Sequence, residues 1–144
     1  MSVVENKWLS GPYAPIEGDV TATELVVEGT LPVELEGRYL RNGPNPITPV
    51  DAATHHWFVG DAMVHGVRLD DGRAEWYRAR FVRSTAVSEV LGEEPKPGER
   101  HAGMETANTN IVGIGGRTFA IDEAKFDDIL LNVAKSITNQ IRYE

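Results

Sequence analysis

The residues with the clearest chemical potential in this sequence are its four histidines, His55, His56, His65 and His101. Three of them fall in the run HHWFVGDAMVH, where imidazoles and the carboxylate of Asp61 are ligand types that iron and zinc accept. Neighbouring side chains on a strand point to opposite faces, so if His55 and His56 lie on a strand, at most one can turn toward a shared metal. We therefore interpret the histidines as structural or surface residues beside an aromatic pair, and predict no metal ligand among them.

Other catalytic motifs are weak or absent. Gly60 and Asp61 could form a functional loop, but both are ordinary turn residues, and we favour the turn. The glycine run at 113–116 is not followed by Lys-Ser or Lys-Thr, so it is not a phosphate-binding loop. No serine has a nucleophile-elbow context. The chain has no cysteine, which excludes thiol catalysis, disulfides and thiolate zinc sites.

Composition limits the partners. The chain has 144 residues, a length suited to one domain or to a piece of a larger protein, and 41% of them are hydrophobic. Lys and Arg total 14 against 22 Asp and Glu, giving a net charge of -8 without a basic cluster, so nucleic acid is not an expected partner. Residues 1–10 lack the apolar core of a signal peptide, and we expect a cytoplasmic protein. No apolar run approaches a membrane span of about 20 residues, so any membrane contact would be peripheral.

The positions of turn residues predict which elements carry these side chains. Scattered Gly and Pro over residues 1–23 indicate an extended arm. Residues 24–29 and 37–41 are short β-prone runs, and the cluster NGPNP at 42–46 predicts a rigid turn after the second. Residues 63–82 predict a β-hairpin, because two β-prone runs flank Asp71-Gly72, a pair suited to a type I′ turn.

A second hairpin is predicted over residues 109–121, around the pair Gly115-Gly116. Residues 89–105, rich in Glu, Pro and Gly, indicate a long surface loop. Short strands joined by turns, with no helices between them, predict an all-β antiparallel meander, either a sandwich or a propeller. The residues alone do not separate these two architectures.

The end of the chain follows a different pattern. Apolar residues recur there at spacings of three and four, which places them on one face of a helix: Phe126, Leu130, Val133, Ile137 and Ile141. We therefore predict a C-terminal amphipathic helix within residues 125–144, and hypothesise that it covers an exposed face of the β structure.

Three segments together carry a family resemblance. They are EGTLPVELEGRYLRNGPNP (28–46), HHWFVGDAMVHGVRLDDGRAEWYRARFVR (55–83) and ANTNIVGIGGRTFAIDEA (107–124). The order and spacing of RNGPNP, HHWF, GD-MVHG and ANTN closely resemble the start of the carotenoid cleavage dioxygenase family, which includes apocarotenoid-cleaving and stilbene-cleaving members and the retinal pigment epithelium isomerase. The resemblance extends from about the start of the chain to Ala124.

This resemblance implies a seven-bladed β-propeller with Fe(II) held by four histidines on its axis, and cleavage of a polyene C=C bond by dioxygen. The implied substrates are carotenoids, apocarotenoids or related lipophilic polyenes and stilbenes. The family's iron histidines lie downstream of the matched segment, so no metal ligand or catalytic residue transfers to this chain. We therefore expect that this chain alone does not bind Fe(II). Glu123 does match the position of a glutamate that hydrogen-bonds an iron-ligand imidazole.

Two departures from the family pattern follow. Ala62 stands where the resemblance implies Gly, which would cost on the order of 1 kcal/mol if the position required positive φ. After Ala124 the family sequence stops, so we expect about two propeller blades over residues 24–124, followed by a divergent helical tail. Such a truncated piece would be inactive alone and prone to self-association through unpaired blade edges. The alternative is a non-catalytic β domain that binds a partner or a lipophilic molecule.

Overall fold

The computed structural model describes residues 5–95 and 106–121. Two short 3₁₀ helices, Lys7–Leu9 and Gly11–Tyr13, come first. They are followed by strands β1 (Val20–Ala22), β2 (Gly37–Asn45), β3 (Asp61–Asp70) and β4 (Arg73–Phe81), helix α1 (Thr85–Leu91), and strands β5 (Asn110–Ile114) and β6 (Arg117–Ile121). Within these two ranges, no helix has the length and apolar character needed to cross a membrane.

The strands form two antiparallel sheets. One has four strands in the order β1-β4-β3-β2, and the other consists of β5 and β6. The prediction of a mostly antiparallel β structure is therefore confirmed. The sheets do not close into a ring within the described ranges, so the count of about two blades remains a prediction.

The hairpin of β3 and β4 forms as predicted. Its two turn residues both have positive φ, 46° at Asp71 and 69° at Gly72, as a type I′ turn requires. The register shifts between Arg68 and Leu69, near the turn. The second predicted hairpin is also present, as β5 and β6, with φ of 56° at Gly115 and 74° at Gly116.

The predicted turn at NGPNP is wrong, because β2 runs through it and ends at Asn45. Pro44 pairs with Ala62 and Asn42 pairs with Val64 in a continuous antiparallel register. Since β2 is an edge strand of its sheet, the N–H that Pro44 lacks removes no bond from a central ladder. Two prolines therefore mark the end of an edge strand here.

The predicted strand over residues 24–29 is absent, and the sheet uses the preceding residues instead. Val26 is 92% exposed, so its β propensity has no neighbouring strand to act on. Val20 pairs with Ala79 and packs against the core, which places β1 inside the segment predicted as an extended arm.

Helix α1 was not predicted, and its last three residues overlap the start of the expected loop at 89–105. The Ser84 hydroxyl accepts a hydrogen bond from the Val87 amide at its N-terminus, and Gly92, with φ of 67°, ends it in the left-handed conformation. Val87 is fully buried and packs with Met63, a residue of β3, in the main core. This cluster also contains Ala79 and Phe81, with Ile16, Val20, Ile47 and Tyr77 at its margin.

An ion-pair cluster fastens the chain before β1 to the end of β4. Arg83 donates to Asp19 Oδ2 at 2.9 Å and Oδ1 at 3.3 Å, and to Glu93 Oε2 at 2.8 Å. Asp19 Oδ1 also accepts from the Phe81 amide at 3.0 Å. Burial raises the pKa of Asp19, but the Arg83 hydrogen bond, the Phe81 amide and the charges of Arg83 and Arg80 outweigh it and bring the pKa below its usual 3.8.

The predicted helical tail of residues 125–144 and the position of Glu123 lie outside the described residues. Both remain predictions from the sequence.

Candidate functional site

The three motifs that carry the family resemblance meet at one place in the structure. Asn42, in the RNGPNP motif of β2, donates from Nδ2 to the carbonyl of Ala107 at 2.6 Å and to that of Asn110 at 3.0 Å. Ala107 belongs to the ANTN motif and has a φ of 41°, a strained backbone for a residue with a Cβ. The side chain of Asn42 thus joins the four-stranded sheet to the chain entering β5.

A second asparagine makes the reciprocal connection. Asn108 Nδ2 donates to the carbonyl of Gly60 at 2.8 Å and to that of Phe58 at 3.3 Å. Both acceptors lie in the loop that carries HHWF and leads into β3. Because these carbonyls have no strand partner, the amide of Asn108 satisfies backbone groups that the sheet ladders leave open.

A third asparagine holds the N-terminal segment. Asn45 is 6% exposed, and its side chain accepts from the Ile16 amide at 2.8 Å and donates to the Ile16 carbonyl at 3.1 Å. Asp61 Oδ2 accepts from the Ile47 amide at 3.1 Å. A Cβ at Gly60 would lie 3.0 Å from the Asn45 backbone nitrogen, so this position needs glycine for close approach. Gly60 lies in the bend before β3, whereas Asp61 is the first residue of that strand, so the turn interpretation is wrong for Asp61.

Ala62 carries no strain. It lies in β3, is 1% exposed and is not among the described residues with positive φ. The departure from the family's glycine therefore costs nothing through backbone conformation.

The three described histidines lie in different local environments and have different hydrogen-bond partners. His55 and His56 lie in a turn region and not on a strand, so the argument from alternating side chains does not apply to them. His56 is exposed and accepts from the Phe58 amide at 3.3 Å. His65 Nδ1 is 2.8 Å from the Tyr77 hydroxyl. His101, like Glu123, lies outside the described ranges.

The part of the chain that the structure describes contains no group of three or more His, Cys, Asp or Glu side chains able to hold a metal. The described residues therefore do not supply the four-histidine iron site that the resemblance implies, and no reaction step is assigned to iron on them.

Aromatic residues near the N-terminus form a compact cluster that sequence reasoning missed. Tyr13 packs edge-on against Trp57 at 4.7 Å between ring centroids and against Trp8 at 5.2 Å. Trp8 and Trp57 are 5.5 Å apart. These contacts fix the HHWF loop against the N-terminal segment.

An open cleft of about 700 Å³ lies where these elements meet. Its walls come from β2, the loop before β3, one residue of β3 and the segment before β5: Arg41, Asn42, Gly43, Pro44, Trp57, Phe58, Val59, Gly60, His65, Thr106, Asn108 and Thr109. Burial, and then the positive charge of Arg41, lower the pKa of His65 below its usual 6.5. At neutral pH the cleft therefore presents a neutral imidazole beside a guanidinium.

The fold matches solved structures of oxygenases. The crystal structure of lignostilbene dioxygenase from Pseudomonas brassicacearum aligns with a TM-score of 0.65 and 24% identity, over 85% of this chain and 28% of that one. Cobalt-substituted apocarotenoid oxygenase from Synechocystis aligns with a TM-score of 0.57 and 29% identity, over 81% of this chain and 27% of that one. The structural neighbours are β-propeller carotenoid oxygenases.

Sequence comparison gives the family. The family model described as "Retinal pigment epithelial membrane protein" matches residues 13–127. A carotenoid cleavage oxygenase of Mycobacterium tuberculosis is 54% identical over 123 residues, covering 83% of this chain and 25% of the relative. A carotenoid 9,10(9',10')-cleavage dioxygenase of Pisum sativum is 44% identical over 86 residues, covering 58% of this chain and 15% of the relative.

The chain belongs to the retinal pigment epithelial membrane protein family. The curated relatives that it matches include carotenoid cleavage oxygenases. The resemblance found from the sequence is thereby confirmed. The chain spans about a quarter of the length of the Mycobacterium relative that it matches.

Proposed function

We propose that this chain forms the N-terminal part of a non-haem Fe(II) dioxygenase that cleaves a C=C bond of a carotenoid or apocarotenoid with O2, giving two carbonyl products. The observation that carries the proposal is the 54% identity with the Mycobacterium carotenoid cleavage oxygenase over 123 residues. The contacts between the family motifs also support the proposal. Asn42 bonds the chain before β5, and Asn108 bonds the loop before β3, so these two side chains connect the two sheets. The substrate class extends to related lipophilic polyenes and stilbenes.

In this proposal the chain contributes scaffold and not iron ligands. The described histidines occupy separate environments, and His65 is engaged by Tyr77. The chain of residues 1–144 alone therefore neither retains iron nor turns over substrate, and Glu123 serves to orient an imidazole ligand that the remainder of such an enzyme supplies. We also propose cytoplasmic localisation, with membrane contact at most peripheral.

A segment transplant tests the proposal. The region of the Mycobacterium relative that aligns with this chain is replaced by the corresponding residues of this chain, and the purified protein is assayed for iron content and for cleavage of an apocarotenal. We expect an iron-loaded protein that forms the aldehyde products. A folded, iron-loaded chimera that forms no product contradicts the proposal. The matched control is residues 1–144 alone with added Fe(II), for which product formation would contradict the scaffold role.

A second candidate is a non-catalytic β domain that binds a lipophilic molecule or a partner. The observation that favours it is the exposure of apolar side chains beside the cleft, 74% at Phe58 and 61% at Val59. The unpaired outer edges of the described sheets would permit self-association in that case. An inactive chimera, together with specific apolar binding by residues 1–144, would support this candidate over the oxygenase.

A further inference from the structure

We propose that the cleft beside β2 binds an apolar carboxylate, with Arg41 and His65 holding the carboxylate and the rings of Trp57 and Phe58 contacting the apolar body. This inference concerns binding by the chain itself and does not depend on the oxygenase proposal.

Arg41 of β2 contributes the positive charge of the cleft. It lies directly opposite His65 in the register of β2 and β3, so both side chains leave the same face of the sheet. Both line the cleft. The side chain of Arg41 has no hydrogen-bond or ion-pair partner in the part of the chain that the structure describes, whereas four other arginines are paired with carboxylates: Arg68, Arg73, Arg80 and Arg83.

His65 can add a second hydrogen-bond donor to the cleft beside Arg41. The amides of Asn42 and Asn108 are already committed to backbone carbonyls. His65 contacts the Tyr77 hydroxyl through Nδ1. When that hydroxyl donates to Nδ1, a neutral imidazole carries its proton on Nε2 and has a second donor to offer. A guanidinium beside an imidazole N–H suits a carboxylate, which accepts both hydrogen bonds.

Trp57 and Phe58 form an aromatic wall of the cleft. Trp57 is fixed by Trp8 and Tyr13, whereas Phe58 is 74% exposed and follows it directly along the loop. Such aromatic faces bury the apolar part of a ligand. An anion without an apolar body would use only the donors, and a neutral apolar molecule would use only the wall.

The net charge of the chain makes the test selective. At -8, the protein as a whole repels anions, so non-specific attraction does not favour a carboxylate over its neutral analogue. A higher affinity for the carboxylate than for the neutral analogue must then come from a donor or positive charge within the cleft.

The experiment is calorimetric titration of residues 1–144 with 2-naphthoate and with the neutral analogue 2-naphthalenemethanol. We expect the wild-type chain to bind 2-naphthoate about tenfold more tightly, as a charge-assisted contact implies. Arg41→Gln should remove this preference and leave binding of the alcohol unchanged. The matched control is Arg38→Gln, an exposed arginine at an opposite-face position of the same strand, which should change neither affinity by more than about twofold.

Three results would overturn the proposal. They are the absence of 2-naphthoate binding at millimolar ligand, equal affinity for the acid and the alcohol in the wild type, and an equal loss of acid affinity in Arg38→Gln and Arg41→Gln. Folding of the variants is checked by thermal unfolding. A further variant, Phe58→Ser, should lower the affinity for the acid and for the alcohol by a similar factor.

Discussion

Asparagine side chains connect segments of this molecule that are distant in sequence. Asn42, Asn45 and Asn108 each bond to backbone groups of a segment distant in sequence. The motifs containing these residues were recognised from the sequence, but their contacts were not, because an asparagine beside Gly and Pro is equally typical of a turn. The distant backbone groups that these three side chains bond lie between 29 and 68 residues away, a separation that local patterns do not encode.

The ion-pair cluster around Asp19 predicts a pH dependence of stability. The pKa of Asp19 is lower in the folded chain than its usual value, so ionised Asp19 stabilises the fold at neutral pH. That contribution is complete above the unfolded pKa of about 3.8 and is lost as the pH falls through the lower folded pKa. We expect Asp19→Asn to cost about 1 kcal/mol at pH 7, and the difference from wild type to shrink below about pH 4.

Urea unfolding between pH 7 and pH 2.5 measures this difference. The control is Glu36→Gln, at an exposed carboxylate 3.7 Å from Arg68, whose effect should be within about 0.5 kcal/mol. A cost of Asp19→Asn that stays constant across this pH range would show that the side chain stabilises by packing and not by its charge.

At the scale of elements, the hairpins were predictable and the sheet edges were not. Asp71-Gly72 and Gly115-Gly116 specify tight turns through residues that adopt positive φ at low cost, so local sequence determined both hairpins. The path of β2 through Pro44 depends on its being an edge strand, and the absence of a strand at residues 24–29 depends on which partner is available. Helix α1 could have been found from its flanking Ser84 and Gly92, but its seven residues give a weak period.

The close packing before β3 predicts different effects at two glycines. A Cβ at Gly60 would meet backbone atoms of Asn45 and Pro46 at 3.0 to 3.3 Å, whereas one at Gly43 would meet nothing within 4 Å. Since backbone cannot move aside as a flexible side chain does, we expect Gly60→Ala to lower the free energy of unfolding by about 1 to 3 kcal/mol. Gly43→Ala is the matched control and should change it by less than about 0.5 kcal/mol. Equal midpoints for the two variants in urea would contradict the packing argument.

At the scale of the whole molecule, the chain is two sheets joined by the residues that its family resemblance singles out. Family membership was accessible from the sequence because several motifs recur in fixed order, and the comparisons confirm it. The cleft and its donors were not accessible, since they depend on bringing residues 41, 57, 65 and 108 together. No local pattern encodes that juxtaposition.

The central claim is that the shared motifs in this chain position elements and do not perform chemistry. In the chimera with the Mycobacterium relative, Asn108→Ala removes the amide that bonds the carbonyls of Phe58 and Gly60, leaving the partly buried carbonyl of Gly60 unsatisfied. We expect a destabilisation of about 1 to 3 kcal/mol, seen as a lower midpoint of thermal inactivation, with turnover per bound iron unchanged. Asn110→Ala, at an exposed asparagine whose side chain accepts from the adjacent Ile111 amide, is the control.

The most direct measurement is therefore product formation per bound iron, made alongside thermal inactivation on the same Asn108→Ala preparation. A lower inactivation midpoint with normal turnover per iron is the predicted result. Turnover per iron reduced tenfold or more at an unchanged midpoint would contradict the account, because Asn108 would then act in the reaction itself.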